Sequence, residues 1–141
     1  MTSIKKTGLP ALCMVALFMT GCSTLDTASG TYIGTVYSAG PVPVFTTFYP
    51  RPLDEQKQMY GTFMYSENDD WVTGSLSHCR SLPERRMVCH WHDKYGVGIM
   101  DVHFDENHQS FDGHWGTFCG TTRPDMIWNG KRVQAHPGNA Q

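Results

Sequence analysis

Histidine and aspartate side chains between residues 90 and 114 are the groups of this sequence best suited to chemistry. His90 and His92 are two positions apart, so on a β-strand both imidazoles would project from one face, about 6.5 to 7 Å apart at the backbone. Imidazole and carboxylate groups suit zinc, copper or nickel, and an aspartate could orient a ligating histidine. One hypothesis is therefore a zinc site made of His90, His92 and His114 with Asp101 in support.

The same residues fit two other interpretations. A sheet that packs one face on a core needs a polar outer face, and cross-strand histidine–aspartate pairs are tolerated there. A third interpretation is a pH-responsive surface, because histidine charges near pH 6.5 and would turn this patch from net negative to positive. We favour the solvated polar face, because a metal needs three or four converging ligands and these side chains are spread over several rows.

Two predicted turns, at residues 93–96 and 105–110, set the register of the strands that would carry these groups. The register places the histidines and aspartates on one face and a hydrophobic core on the other. The predicted cross-strand pairs are His92 with Val97, His90 with Ile99, Val88 with Asp101, Phe104 with Phe111, His103 with Asp112 and Asp101 with His114. The predicted core residues are Met87, Cys89, Trp91, Met100, Val102, Phe104, Phe111 and Trp115.

Short runs of aromatic and β-branched residues, separated by Gly, Pro, Asn and Asp, follow one another along the chain. They predict an all-β fold, in which a single small antiparallel meander of about seven or eight strands closes into a barrel or sandwich. Four prolines between residues 38 and 52 predict an edge strand there. The predicted strands are 31–37, 42–49, 58–65, 71–79, 87–92, 96–104 and 110–118, with a weaker one at 126–133.

The beginning of the chain predicts an export signal. Lys5 and Lys6 precede an apolar run over residues 9–19, which ends in Met19-Thr20-Gly21-Cys22. This segment resembles the signal peptide of bacterial lipoproteins, whose lipobox ends in the cysteine that becomes lipidated. An ordinary secretory signal is the alternative, and a retained transmembrane helix is disfavoured because the apolar run is too short.

The resemblance implies that acyl chains on Cys22 hold the protein on a membrane. Ser23 follows the cysteine, whereas Asp at that place is the inner-membrane retention signal of enteric lipoproteins. We therefore expect attachment to the bacterial outer membrane, facing the periplasm. The expected organisation is a signal peptide at 1–21, a lipidated N-terminus and linker at 22–30, a β domain at 31–133 and a flexible tail at 134–141.

Of the five cysteines, three remain for an oxidising compartment once Cys13 is removed with the signal and Cys22 is lipidated. Cys79 and Cys89 bracket a polar turn between two strand-like runs, which predicts a disulfide across a hairpin. Cys119 would then be a lone, buried thiol, although the spacing leaves open that it pairs with Cys79 or Cys89 instead.

Charge and missing motifs exclude several functions. The whole chain has a net charge of −2, and loss of Lys5 and Lys6 with the signal leaves nine basic against thirteen acidic residues, so nucleic-acid binding is disfavoured. The sequence has no Gly-x-Ser-x-Gly, His-Glu-x-x-His or phosphate-binding glycine loop. We expect a protein that is not an enzyme; hydrolysis by a metal-activated water at the histidine cluster is the remaining enzymatic alternative.

Residues 111–116 form an aromatic-x-Gly-x-Trp-Gly pattern, in which glycine lets a bulky neighbour approach closely. The pattern resembles the Gly-x-Trp strands of small calycin-like barrels, which include lipocalins and avidin-type binders. That resemblance implies a barrel that can hold a small ligand. The expected function is a non-enzymatic envelope lipoprotein that binds a protein partner or a small apolar ligand, and the alternative is a periplasmic metal-binding lipoprotein.

Overall fold

The computed structural model describes residues 28–50, 59–118 and 121–134. The predictions for the signal peptide, for lipidation of Cys22, for Cys119 and for the tail after Gln134 lie outside these residues. Within the described ranges, no helix has the length and apolarity needed to cross a membrane. The strands are β1 (Gly30–Tyr37), β2 (Pro41–Tyr49), β3 (Met59–Glu67), β4 (Asp70–Leu82), β5 (Arg86–Asp93), β6 (Gly96–Phe104), β7 (Ser110–Thr117) and β8 (Ile127–Arg132).

These strands form a closed antiparallel barrel. Each strand pairs with the next one along the chain, and β1 also pairs with β8 through Val36 with Trp128 and Ile33 with Lys131. The predicted all-β meander is therefore confirmed, and it takes the form of a barrel rather than a sandwich. Closure leaves no free sheet edge and gives the barrel one inner and one outer face.

The predicted register of β5, β6 and β7 is confirmed. His92 pairs with Val97, and Asp101 pairs with both Val88 and His114. The side chains of Met87, Cys89, Met100, Val102 and Phe111 consequently point inward and are at most 2% exposed. The histidines of these strands lie on the outer face together with Asp101 and Asp112.

The prolines do not make β2 an edge strand, and this prediction is wrong for the strand as a whole. β2 lies between β1 and β3 in the closed barrel. Pro41 and Pro43 pair with β1 only, because the pairing of β2 with β3 begins at Val44. The prolines therefore occupy the part of β2 that has a neighbour on one side, where a missing backbone donor is tolerated.

One end of the barrel is filled by aromatic rings around Tyr32. The Tyr32 ring meets Phe48, Phe104 and Phe111 edge to face, with ring centroids 5.8, 5.7 and 5.2 Å away. Its hydroxyl lies 2.9 Å from the carbonyl oxygen of Ala28 and accepts a bond from Arg132 Nη2 at 2.7 Å. The N-terminal part of the described chain is thus fastened to this filled end.

A disulfide joins β4 and β5, as predicted. Cys79 and Cys89 are bonded and fully buried. The pairing of β4 with β5 shifts between Ser77 and Arg80, where His78 adopts a positive φ of 50°. This β-bulge brings Cys79 opposite Cys89, and the disulfide fixes the hairpin that turns at residues 83–85.

Candidate ligand-binding site

The predicted zinc ligands of β5 lie on the convex outer surface of the barrel. His90 is half-buried, with its ring 5.1 Å from the rings of both His78 and Phe118. Burial lowers the pKa of His90, and the nearby positive charges of His78 and Arg80 lower it further. His92, two positions along the strand, is exposed.

Asp101 forms a salt bridge with Arg86. The Arg86 guanidinium binds it through both oxygens, with Nε 2.8 Å from Oδ1 and Nη2 2.5 Å from Oδ2. Arg86 lies diagonally across the β5–β6 pair, since it pairs with His103 while Asp101 pairs with Val88. The carboxylate that was predicted to support the histidines is thus held by a cation, although His114 does lie opposite it in the register.

The structure does not bring the four proposed zinc ligands together. His90, His92, His114 and Asp101 are all described, and the described part of the chain contains no group of three or more His, Cys, Asp or Glu residues that could hold a metal ion. Two features explain this result: side chains on a convex barrel surface diverge, and Asp101 is engaged by Arg86. The histidine side chains instead form part of the polar outer face.

A cavity opens at the end of the barrel opposite the filled one. Its volume is about 180 Å³. It lies where β1, β3 and β5 end and where β6 and β8 begin, so the loops of that end surround its mouth. Its lining residues are Val36, Tyr37, Ser38, Phe63, Tyr65, Trp91, Asp93, Tyr95, Trp115 and Trp128.

Three tryptophans of the lining are fixed by their own hydrogen bonds. The indole N–H groups of Trp91 and Trp115 donate to the carbonyl oxygens of Gly116 and Tyr37, each at 3.0 Å. The indole N–H of Trp128 donates to Thr46 Oγ1, also at 3.0 Å. Because every indole donor already has a partner, the rings present apolar and π surface to the cavity.

The aromatic rings of the lining pack on one another, two pairs at large angles and one pair stacked. Trp91 and Trp115 meet at 88° with centroids 5.5 Å apart. Phe63 meets Trp128 at 74° and 5.0 Å, and it stacks on Tyr65 at 6.2 Å. These contacts hold the rings in place before any ligand arrives, which reduces the ordering cost of binding.

A carboxylate supplies the polar side of the mouth. Asp93 Oδ2 accepts a bond from the Tyr65 hydroxyl at 3.2 Å, and Asp93 Oδ1 accepts one from the Tyr95 backbone N–H at 2.8 Å. Burial raises the pKa of Tyr65, and the negative charge of Asp93 raises it further. Tyr65 therefore stays a neutral donor to the carboxylate.

The rim beside Asp93 is braced by a second set of contacts. Glu67 of β3 accepts a short hydrogen bond from the Tyr95 hydroxyl and lies 3.2 Å from Lys94 Nζ. The Lys94 ammonium also lies over the Tyr95 ring, 4.9 Å from its centroid. These contacts tie the turn after β5 to the end of β3 on the same side of the mouth.

Sequence reasoning placed Trp91 and Trp115 in the core, left open whether the barrel is hollow, and did not locate the cavity. Strand alternation assigns both side chains to the inner face, but it does not show that the barrel is empty where they end. Trp128, Asp93 and Tyr95 were missed entirely as site residues. A usable signal was available: Trp91 and Trp115 lie at the ends of β5 and β7 that share one end of a meander.

The outer face carries one row of apolar side chains. Ile33, Phe45 and Met64 are neighbours across β1, β2 and β3 in the register. Trp71 packs edge to face on Phe45, with centroids 5.6 Å apart, and is 50% exposed. We call these four residues the outer apolar row.

The fold and the site together define an eight-stranded antiparallel barrel with one filled end and one aromatic, ligand-sized cavity. No protein-family model, no curated protein and no solved structure matches this chain.

Proposed function

We propose that this protein is a lipid-anchored lipoprotein of the bacterial outer membrane, facing the periplasm, whose barrel binds a small ligand with an apolar body and performs no enzymatic chemistry. The aromatic cavity of about 180 Å³ is the observation that carries the binding function. The anchoring is supported by the sequence, in which residues 19–22 resemble a lipobox ending in Cys22.

The chemistry of the cavity favours binding over catalysis. Its walls are mostly aromatic, and their indole donors are used within the protein. Its volume is close to that of the apolar protein cavities of about 150 Å³ that take up benzene. Removing the apolar surface of a small ligand from water then supplies the driving force, and the fixed rings supply the shape.

Tryptophan fluorescence provides a direct test, because the protein has four tryptophans and three of them line the cavity. The fourth, Trp71, lies outside on the outer apolar row. In the Trp71→Phe variant of the mature protein, purified in a non-ionic detergent, all tryptophan emission therefore comes from the cavity. We expect the neutral probe 3,3-dimethyl-1-butanol to change this emission in a saturable way.

A filled cavity gives the matched control. Val36 lies 5% exposed in the lining, and Val36→Phe in the Trp71→Phe background adds volume where the probe would bind. We expect this variant to fold and to lose the saturable response. The proposal would be contradicted by an unresponsive Trp71→Phe protein that also carries no small molecule in native mass spectrometry.

A protein partner is the second candidate, and the outer apolar row favours it. Exposed apolar side chains that are contiguous across strands are common at protein interfaces. The two candidates separate cleanly, because Trp71→Phe leaves the cavity intact while it trims the row. A protein whose cavity fails both tests above would leave the outer row as the functional surface.

A further inference from the structure

The charge in the cavity lining is negative. Asp93 is the charged side chain among its lining residues, and no Lys, Arg or His lines it. The ion pairs of the described residues do not include Asp93, and the neighbouring Lys94 pairs with Glu67 at 3.2 Å instead. Among the described residues, no cation lies within ion-pair distance of this carboxylate at the mouth of the apolar cavity.

Four hydrogen-bond donors of the cavity lining are engaged within the protein. The three indole N–H groups are bonded to protein oxygens. The Tyr65 hydroxyl directs its hydrogen toward Asp93. A ligand that carries an anion would be repelled by the Asp93 carboxylate, whereas a ligand that carries a positive charge would be attracted to it.

The walls themselves attract a cation. The face of an indole ring carries negative quadrupole charge, and tryptophan is the strongest of the aromatic residues in binding cations. Trp91 and Trp115 form a corner at 88° with centroids 5.5 Å apart. Such a corner lets one ammonium group contact two ring systems, as in the aromatic cages that bind choline and methylated lysine.

Inorganic ions suit this cavity poorly. A small metal cation needs several oxygen, nitrogen or sulfur ligands, and this lining offers a single carboxylate in a mostly aromatic surface. A methylated ammonium group carries its charge under an apolar surface, so it loses little hydration on entry and gains contact with the rings.

We propose that the ligand of this cavity is a small organic cation with a methylated ammonium group, seated against Trp91 and Trp115 with Asp93 as its counter-ion. This inference rests on the proposed binding function and names its ligand class. The apolar body of the ligand would fill the remaining volume toward Phe63 and Trp128.

Choline and 3,3-dimethyl-1-butanol test the inference, because they have nearly the same shape and differ in the charge of one central atom. Both are titrated into the Trp71→Phe form of the full protein in dodecyl maltoside, with tryptophan emission as the signal. We expect choline to bind at least tenfold more tightly than its neutral isostere. This comparison needs no variant at the site itself.

Asp93→Asn removes the negative charge at nearly constant side-chain shape and tests whether Asp93 causes the preference for choline. We expect this variant to lose most of the tenfold preference for choline, measured as the ratio of the two probe affinities within the same variant. Asp112→Asn makes the same charge change on the exposed outer face of β7. It should leave both affinities unchanged.

The outcomes separate the two proposals. Binding of the neutral isostere at equal or higher affinity than choline would overturn the cation inference and leave the apolar binding function standing. Failure of both probes to bind would overturn the cation inference, and it would overturn the binding function as well if native mass spectrometry also finds no small molecule on the protein. A preference for choline that persists in Asp93→Asn would show that Asp93 is not the counter-ion.

Discussion

At the scale of single residues, Gly98 allows the Trp91 indole to lie flat against β6. Gly98 pairs with Trp91, and a Cβ at this position would collide with the carbonyl oxygen of Gly116 and lie 2.6 Å from the Trp91 ring. That same carbonyl accepts the Trp91 indole bond. A side chain at position 98 would therefore disturb both the strand pairing and one wall of the cavity.

We expect Gly98→Ala to lower the free energy of unfolding by about 1 to 3 kcal/mol, the usual cost of overpacking. Urea unfolding followed by circular dichroism measures this change. Thr73→Ala, at an exposed site on the outer face of β4, is the control and should stay close to the wild type. Equal unfolding midpoints for Gly98→Ala and the wild type would show that β6 adjusts freely at this position.

Two histidines make stability depend on pH. His108 is 8% exposed, and burial lowers its pKa, as does the charge of Arg132, while Asp105 opposes the shift. Burial lowers the pKa of His90 as well. Both rings are therefore more easily protonated in the unfolded chain, where the histidine pKa is about 6.5. Their neutral forms favour the native state fully above that pH, and this contribution is lost as the pH falls below it.

We expect the urea midpoint to fall when the pH is lowered from about 7.5 to about 5.5, the range in which histidine charges. His108→Asn should reduce that fall, because asparagine does not titrate and tolerates the positive φ of 53° at this position. Urea titrations of the wild type and of His108→Asn at the two pH values measure the fall in the unfolding midpoint of each protein. A variant with the same pH dependence as the wild type would remove His108 as a cause.

At the scale of elements, the β4–β5 hairpin carries the disulfide. The bond joins residues ten apart in sequence, and on the chain-entropy model a loop of that length contributes about 2 to 3 kcal/mol. We expect the double variant Cys79→Ala with Cys89→Ala to lose at least this much stability in urea. Reduction of the wild type should bring it close to the variant, and a wild type that does not respond to reductant would contradict the assigned contribution.

The strands and their register could be predicted because their signals are local. Turns of a few residues set the pairing of β5 with β6 and of β6 with β7, and alternation then assigns each side chain to a face. The Cys79–Cys89 bond follows from the same hairpin logic. Only the C-terminal end of β4, which continues to Leu82 past a bulge, departs notably from the predicted bounds.

The site could not be predicted because it depends on contacts distant in sequence. The pairing of Val36 with Trp128 joins β1 to β8, and no local sequence pattern predicts this pairing. The grouping of Trp128 with Trp91 and Asp93 follows from that closure. Whether the proposed zinc ligands converge could not be predicted for a related reason: register places Asp101 opposite His114, but it reveals neither the curvature of the surface nor the contact of Arg86 with Asp101.

At the scale of the whole molecule, the two ends of the barrel differ: aromatic side chains fill one end, and the cavity opens at the opposite end. Tyr32 holds the carbonyl of Ala28 at the filled end, and β1 then runs toward the cavity, where Val36 and Ser38 line the mouth. Cys22 and Ala28 are six positions apart in the sequence, and an extended chain spans at most about 22 Å over that separation. A lipid anchor at Cys22 would therefore place the filled end next to the membrane and turn the mouth toward the aqueous periplasm.

This orientation suits a water-soluble ligand, and it depends on the anchor. We expect Cys22→Ser to remove the acyl mass and to release the protein from the membrane fraction, because the thiol that carries the lipid is absent. Ser23→Asp is the matched variant: it keeps the cysteine and should move the protein from the outer to the inner membrane. Sucrose-gradient fractionation with immunodetection distinguishes the two.

Membrane attachment that persists in Cys22→Ser would show that another segment holds the protein there, and the orientation argument would then lose its basis. Ligand binding provides an independent check, because the cavity lies at the end of the barrel away from Ala28. Choline affinity should be the same with and without the lipid. A cavity that binds choline only after release from the membrane would instead place its mouth against the lipid surface.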